Sequence, residues 1–208
     1  MNKKTQKIAV SAIMVALATL LSFITLYRLP YGGSITPFSM VPILLCGYLF
    51  SVKWGLLTGV VYGIIQALLG TFVSSAFVGL NITNVILVCL LDYIVAFGVL
   101  GLSGVFKKGI KNTAFSIGLG AFIATFLRFV SHFVSGYIVY GSYEEWFFTE
   151  NTSYFGNQIL ETFSGKGLAL IYSLIYNASY MIPEIILSII GCAILINIPP
   201  IKKLATNK

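Results

Sequence analysis

Residues 84–101, NVILVCLLDYIVAFGVLG, are apolar enough to cross a lipid bilayer as a helix, yet Asp92 lies in the middle of them. A carboxylate at the centre of a bilayer costs roughly 2.5–3.5 kcal/mol on insertion scales. Such a group is tolerated when it faces a partner or a polar cavity inside a helix bundle. The stretch therefore predicts a membrane helix whose acid either pairs with a base for assembly or contacts a ligand.

The composition of the whole chain agrees with a membrane protein. Of its 208 residues, 58% are hydrophobic and only 9% are charged, whereas soluble domains carry about 25% charged residues. The net charge of +7 does not predict nucleic-acid binding, because the basic residues gather at the ends and in short loops. The three cysteines lie in apolar segments without paired spacing, so neither a disulfide nor a metal site is expected.

The hydrophobic pattern predicts an all-α membrane protein with six transmembrane helices in one domain, residues 1–208. The predicted spans are 8–27, 38–52, 54–71, 84–106, 113–140 and 167–198. With six spans, ten of the lysines fall on one side of the membrane, so the positive-inside rule places both termini in the cytoplasm. Residues 141–166, which hold four glutamates, are predicted to form a long solvated loop to which no role is assigned.

Small residues mark two of the predicted spans as packing faces. Gly55, Gly59 and Gly63 form a double G-x-x-x-G, which predicts tight packing against a neighbouring helix. In the first span, Ala12 and Ala16 lie on one helix face, and Ala9 lies one turn before Ala12. This face serves either ordinary internal packing or docking to a second membrane protein.

The fifth span carries a polar stripe, because Arg128, His132, Gly136 and Tyr140 follow one another at steps of four residues. An arginine inside a span needs a counter-ion, so the pattern predicts a contact or near contact between Arg128 and Asp92. The only histidine of the chain is either a hydrogen-bonded core residue or a ligand-binding group.

Two further segments bear candidate ligand contacts. In the last span, Ser173, Asn177, Tyr180 and Glu184 share a face that Tyr172 and Tyr176 flank, which is typical of cavity lining in a membrane helix. Pro183 and the length of this span predict a kink or a projecting end.

The loop over residues 28–37 has two prolines and a Gly-Gly pair, so it is a plain connector or a mobile flap that brings Tyr31 over a pocket. No phosphate-binding loop, zinc-protease motif or nucleophile elbow occurs in the sequence, which is therefore not expected to be an enzyme. One carboxylate, amides and tyrosine rings favour a small heteroaromatic, cationic ligand.

Five sequence pieces, taken in this order, resemble the substrate-binding S components of energy-coupling factor (ECF) vitamin importers, most closely the thiamine-specific ThiT group. They are GGSIT leading into MVPI, the G-x-x-x-G-x-x-Y-G-x-x-Q run from Gly55 to Gln66, LDYIVAFGVLGLSG around Asp92, RFVSHFVSG around His132, and YSLIYNASYMIPE from Tyr172. The alanines of the first span likewise resemble the motif with which S components dock onto their transmembrane partner.

The resemblance implies a high-affinity thiamine-binding subunit in a bacterial plasma membrane, working with an ECF transmembrane subunit and two ATPase subunits. It implies that Asp92 hydrogen-bonds the aminopyrimidine ring, that Arg128 lies near this acid, and that His132 and Tyr140 surround the thiazolium. Tyr172 and Asn177 match further contacts of the family, and Tyr93 and Tyr31 complete the set of predicted substrate-binding residues.

Two alternatives stay open. Gly33 and Ile82 stand where some members of the family have a tryptophan and a tyrosine, so a thiamine precursor or another vitamin is the alternative ligand. The alternative of another class is a proton-coupled secondary transporter acting alone, in which Asp92, His132 and Glu184 relay protons.

Overall fold

Helices make up most of the chain in this computed structural model, which describes residues 2–73, 76–151 and 153–206 and, within them, all side chains except those of residues 3, 31, 151, 153, 154 and 206. In chain order the helices are α1 (Lys3–Ser22), α2 (Val41–Leu49), α3 (Val52–Val73), α4 (Ile82–Lys108), α5 (Thr113–Val139), α6 (Glu144–Asn151), α7 (Ser153–Thr162), α8 (Gly165–Leu195) and α9 (Pro199–Thr206). Short 3₁₀ turns occupy Pro30–Gly32 and Gly141–Tyr143.

Two short strands interrupt the helical architecture between α1 and α2. Strand β1 (Tyr27–Arg28) pairs in antiparallel fashion with β2 (Ser34–Ile35), and Leu29 N donates a hydrogen bond to Gly33 O at 2.7 Å. We refer to residues 27–36 as the hairpin loop. The loop predicted as a connector or flap is therefore an ordered hairpin at one end of the helix bundle.

Five helices of the described chain, α1, α3, α4, α5 and α8, are long and apolar enough to cross a membrane. They confirm the predicted helical membrane architecture. The second predicted span corresponds to α2, whose nine residues are all buried. Nine helical residues rise roughly 14 Å, about half the thickness of a bilayer core. The count of six crossings therefore stays a prediction.

The glycines of α3 are the places where it meets its neighbours. A Cβ added at Gly55 would lie 2.8 Å from Gly101 Cα and would also collide with Gly47 Cα. A Cβ at Gly59 would collide with Phe97 O. The tight packing predicted from the double G-x-x-x-G is thus confirmed, with backbone of α2 and α4 as the partner surfaces.

The prediction of a long loop over residues 141–166 is wrong, because most of this segment is folded into α6 and α7. Glu144 and Glu145 lie in the first turn of α6, where negative side chains stabilise a helix N-terminus. Phe147 and Phe148 are buried against the bundle, at 5% and 0% exposure. The loop interpretation rested on the glutamates and overlooked this apolar pair.

The last long helix, α8, runs without interruption for 31 residues and contains Pro183. At 1.5 Å per residue it is roughly 46 Å long, which exceeds a bilayer core of about 30 Å. A tilted or projecting helix follows from this length alone.

Candidate functional site

A cavity of about 160 Å³ lies between the hairpin loop and the helices α1, α3, α4, α5 and α8. Seven of the eight predicted substrate-binding residues line it, namely Asp92, Tyr93, Arg128, His132, Tyr140, Tyr172 and Asn177. The polar groups that the sequence assigned to three separate spans thus meet at one hollow.

Asp92 lies in a π-helical segment, Cys89–Val95, in the middle of α4. Such segments are rare and occur often at functional sites. Next to the acid, the carbonyl oxygen of Leu91 accepts a hydrogen bond from Ser131 Oγ of α5 at 2.6 Å. A hydroxyl of the neighbouring helix therefore ties the irregular segment to α5.

The carboxylate of Asp92 makes two hydrogen bonds to α5. Its Oδ1 accepts from His132 Nδ1 at 2.7 Å, and its Oδ2 accepts from Ser135 Oγ at 2.6 Å. An ionised carboxylate has about four lone-pair positions, so each oxygen keeps capacity for one further donor. The acid is thus held in place by protein groups and can still accept hydrogen bonds from a ligand in the cavity.

His132 is bonded at both ring nitrogens. Its Nε2 lies 3.1 Å from Arg128 Nε, which can only donate, so Nε2 is an acceptor without a proton. Nδ1 then carries the proton and donates it to Asp92. These two contacts assign the neutral tautomer with the proton on Nδ1.

The near contact predicted between Asp92 and Arg128 is mediated by His132, which lies between them. The guanidinium of Arg128 also lies over the ring of Phe97, 4.2 Å from its centroid. An arginine stacked on an aromatic face keeps its charge and gains attraction from the ring. The positive group is therefore stabilised by a ring and a histidine as well as by the charge of the acid.

Four tyrosines form one wall of the cavity, three of them on α8 and one at the end of α5. Tyr172 and Tyr176 are neighbours with ring centroids 5.7 Å apart, and Tyr180 follows at 6.0 Å from Tyr176. Tyr140, at the end of α5, donates a hydrogen bond from its hydroxyl to Ala76 O at 2.6 Å. We call Tyr140, Tyr172, Tyr176 and Tyr180 the tyrosine wall.

Asn177 connects the tyrosine wall to α5. Its side-chain nitrogen donates to Ser173 O at 2.9 Å and to His132 O at 3.3 Å, and its oxygen accepts from Tyr180 at 2.8 Å. Because both ends of the amide are engaged within the protein, Asn177 fixes the wall as well as lining the cavity.

The two remaining predicted site residues differ in what can be said of them. The ring of Tyr93 stacks on Phe77 at 5.7 Å, and it lines the cavity. The side chain of Tyr31 lies outside the part of the chain that is described, although the neighbouring Gly32 and Gly33 line the cavity.

Helix α8 holds the hairpin loop through two side chains. The hydroxyl of Tyr176 donates to Pro30 O and accepts from Gly33 N at 3.1 Å. One carboxylate oxygen of Glu184 accepts from both the backbone N–H and the hydroxyl of Thr36. Helix α8 therefore fastens the hairpin loop over one end of the cavity at the turn of the hairpin and at its last residue.

Sequence reasoning did not select Ser135, Tyr176 or Thr36 for the site. Ser135 follows His132 by three residues on the same helix face, and this spacing was a usable signal. Tyr176 was visible only as an aromatic neighbour of Asn177, because its bond to the hairpin loop joins residues 146 positions apart. Nothing in the local sequence indicates such a contact.

A second, apolar groove runs between α1 and α3. It is lined by Ile8, Ser11, Ala12, Val15, Ala16, Thr19, Leu20, Trp54, Leu57, Thr58, Val61 and Ile65. Ala12 and Ala16 are exposed in it, whereas the half-buried Ala9 does not line it. Trp54 Nε1 donates to Ser11 Oγ at 2.7 Å and fixes one end of the groove.

No group of three or more His, Cys, Asp or Glu suited to a metal ion occurs among residues 2–73, 76–151 and 153–206.

Comparison with known protein sequences and structures finds one family of relatives. The profile of the family described as "Thiamine transporter protein (Thia_YuaJ)" matches residues 8–145. The "Thiamine transporter ThiT" of Bacillus subtilis (strain 168) is 32% identical over an alignment 215 positions long, which covers 97% of this chain and 96% of the relative. A solved structure of ThiT from Listeria monocytogenes superposes with a TM-score of 0.71 at 23% identity, covering 98% of this chain and 99% of that one. This structural likeness shows that the fold is shared.

Proposed function

The chain belongs to the family of thiamine transporter proteins, and from this premise we propose that it is the high-affinity thiamine-binding subunit of an ATP-driven importer of the energy-coupling factor type. The observation that carries the proposal is the pairing, across one cavity, of the Asp92 carboxylate with the tyrosine wall. Thiamine combines an aminopyrimidine, which donates hydrogen bonds, with a cationic thiazolium ring. The cavity offers one acceptor group and several aromatic faces, which match these two chemistries.

In this proposal the aminopyrimidine lies at Asp92, whose oxygens each accept one bond from the protein and keep room for another. The thiazolium lies among Tyr140, Tyr172 and His132. Tyrosine faces attract a cation by roughly 0.5–2 kcal/mol each. Because His132 is neutral in the assigned tautomer, it adds no positive charge near the thiazolium.

The direct test is a thiamine titration of the detergent-purified chain without partner subunits. We expect saturation well below about 1 μM, equivalent to more than about 8 kcal/mol of binding free energy. Mass spectrometry of small molecules that co-purify identifies the ligand independently. If saturation requires higher concentrations, and a precursor or another vitamin binds more tightly, thiamine is not the cognate ligand.

The proposal also includes partners, because the described chain has no ATP-binding motif. We propose that an ECF transmembrane subunit docks on the groove between α1 and α3, beside Ala9, Ala12 and Ala16, and that two ATPase subunits hydrolyse ATP. Small residues support this role, since they let another helix backbone approach closely in lipid. Six crossings with both termini in the cytoplasm of a bacterial cell belong to the same proposal.

Substitution in the groove tests the docking role. Ala16→Trp fills the groove, and we expect it to abolish co-purification with the partner subunits and ATP-driven uptake while thiamine affinity stays unchanged. Ile13→Trp is the matched control, because Ile13 is 67% exposed on α1 and does not line the groove. Equal uptake by the two variants would refute the docking site.

Uptake by reconstituted vesicles separates this proposal from a transporter acting alone. We expect no accumulation of thiamine in proteoliposomes that contain only this chain and a pH gradient. Accumulation that is driven by the gradient and indifferent to ATP would instead establish a secondary transporter. The bonds of Glu184 to Thr36 argue against that reading, since they direct this acid to the hairpin loop.

A further inference from the structure

Helix α6 is a short outer helix whose position gives it access to the tyrosine wall. The family profile matches only as far as residue 145, so nearly all of α6 lies beyond it. Most of the helix is exposed, including Glu145, Thr149 and Glu150. Glu144 is half-buried, and Phe147 and Phe148 are buried.

Phe147 packs edge-to-face against two members of the tyrosine wall. Its ring centroid lies 5.3 Å from that of Tyr172, with the planes at 68°, and 5.9 Å from that of Tyr176, at 69°. The ring of the neighbouring Phe148 lies 5.2 Å from that of Phe147, measured between centroids, and the two planes are at 77°. Such aromatic pairs prefer this T-shaped geometry, and each adds to the effect of burial.

Tyr176 carries this contact on to the hairpin loop. One side of its ring faces Phe147, and its hydroxyl bonds Pro30 O and Gly33 N. A Cβ added at Gly33 would lie 2.9 Å from the Tyr176 hydroxyl and 2.9 Å from the Tyr180 ring, so the loop lies directly on these tyrosines. A change in the Tyr176 rotamer therefore breaks both bonds at the turn of the hairpin loop and leaves only Glu184 to hold the loop at Thr36.

We propose that Phe147 is a positioning residue, which locks Tyr172 and Tyr176 in the rotamers that form the cavity wall and that fasten the hairpin loop over it. Phe147 does not line the cavity, so it acts through the tyrosines. Helix α6 thereby controls how long the loop stays closed on a bound ligand. The ligand part of this proposal rests on the proposed function, whereas the control of the loop does not.

Removal of the Phe147 ring leaves space beside Tyr176, and the tyrosine then populates other rotamers. Opening of the loop limits escape of the ligand more than its entry, and most affinity changes within one binding site appear in the dissociation rate. We therefore expect Phe147→Ala to release thiamine about tenfold faster, with an association rate within about twofold of the parent chain.

The experiment compares Phe147→Ala with Phe155→Ala. Phe155 belongs to α7 of the same outer segment and is 60% exposed, so its removal is chemically matched but does not touch the wall. Two quantities are measured on the purified chains, namely release of labelled thiamine and hydrogen exchange of the peptide covering residues 27–36 without ligand. We expect faster exchange in Phe147→Ala only, because the Gly33 N–H loses its acceptor whenever Tyr176 turns away.

Double substitution separates positioning from general destabilisation. In the Tyr176→Phe background, which already lacks the hydroxyl, Phe147→Ala should add little further exchange at residues 27–36. If Phe147→Ala does not fold, Phe147→Leu keeps most of the buried volume without the aromatic edge, and it should show the same changes at smaller size.

Unchanged exchange and release in Phe147→Ala, or equal changes in Phe155→Ala, would overturn the proposal. Failure of the parent chain to bind thiamine would overturn the proposed function instead. The exchange measurement without ligand would still decide the role of Phe147 in that case.

Discussion

Between α2, α3 and α4 the helix backbones touch one another, whereas around the cavity side chains make the contacts, both to one another and to backbone groups. In the first region, which we call the glycine-packed region, Gly47, Gly55 and Gly101 bring main-chain atoms together. In the second, a hydroxyl and a carboxylate join α5 to α4, an amide joins α8 to α5, and a tyrosine hydroxyl joins α8 to the hairpin loop. The two regions share α3 and α4, so one pair of helices serves both kinds of packing.

The difference shows how a small bundle combines a rigid part with an adjustable one. Backbone atoms in contact have no rotamers, so the glycine-packed region has one arrangement and resists any added atom. Tyrosine side chains have alternative rotamers, so the wall of the cavity can yield to a ligand that enters or leaves once the contacts that hold its rings are broken. Substitutions in the two regions should therefore fail in different ways.

The largest effect is expected from a single added methyl group in the glycine-packed region. In Gly101→Ala the new Cβ collides with Leu56 N and with the carbonyl carbon of Gly55, neither of which can move aside as a side chain would. Forcing extra atoms into a packed interior costs about 1–3 kcal/mol and occasionally more. We expect a loss of about 3 kcal/mol in stability, seen as a large drop in the thermal unfolding temperature of the purified chain.

Gly109→Ala is the matched control for that substitution. Gly109 directly follows α4, and its φ of −91° is open to any residue. A Cβ added there would meet no neighbouring atom within 4 Å. Its unfolding temperature should equal that of the parent chain. Similar melting of the two variants would mean that backbone contact is not what holds the glycine-packed region together.

The same contrast explains which features were predictable from the sequence. The repeated glycines of α3 and the acid in an apolar stretch are local signals with a direct physical cost, and both led to correct predictions. A glycine face needs a close neighbour, and the carboxylate of Asp92 needs polar partners wherever it lies in the membrane. Neither inference requires knowledge of the partner's identity.

Contacts that depend on how helices are set against one another could not be predicted in this way. The bond of Asp92 to Ser135 and the interposition of His132 before Arg128 depend on the relative rotation of α4 and α5. The helical nature of residues 144–151 and 153–162 was missed because four glutamates outweighed the buried Phe147 and Phe148.

The second effect, of intermediate size, is expected at the carboxylate itself. Asp92→Asn keeps the shape of the side chain but removes its charge and one acceptor, so bonds to a ligand amine weaken. A lost charge-assisted hydrogen bond costs roughly 1–3 kcal/mol, which is about a 5- to 150-fold rise in the thiamine Kd. Equilibrium titration of the purified variant measures this change, and its unfolding temperature should stay close to that of the parent.

Ser131→Ala shows whether the acid or the irregular helix around it matters. Ser131 donates a hydrogen bond to Leu91 O beside the acid and does not line the cavity. The thiamine Kd of Ser131→Ala should therefore stay within about twofold of the parent value. An equal loss of affinity in both variants would assign the effect to the geometry of α4. Unaltered binding by Asp92→Asn would remove Asp92 from the ligand contacts altogether.

The smallest effect is expected from one hydroxyl, tested in both regions at once. Tyr176→Phe removes the group that bonds Pro30 and Gly33, so the hairpin loop should open more often and thiamine should leave about three- to tenfold faster. Tyr48 lies next to Gly47 of the glycine-packed region, and its hydroxyl donates to Thr113 O of α5 at 3.4 Å. Tyr48→Phe removes this hydroxyl away from the cavity, and its thiamine release rate should match the parent chain. Because the two substitutions are chemically identical, a difference in release between them reports only the region in which the hydroxyl lies. Equal release rates would mean that hydroxyl bonds at the cavity wall do not control the loop, and that the division between a rigid and an adjustable region does not hold.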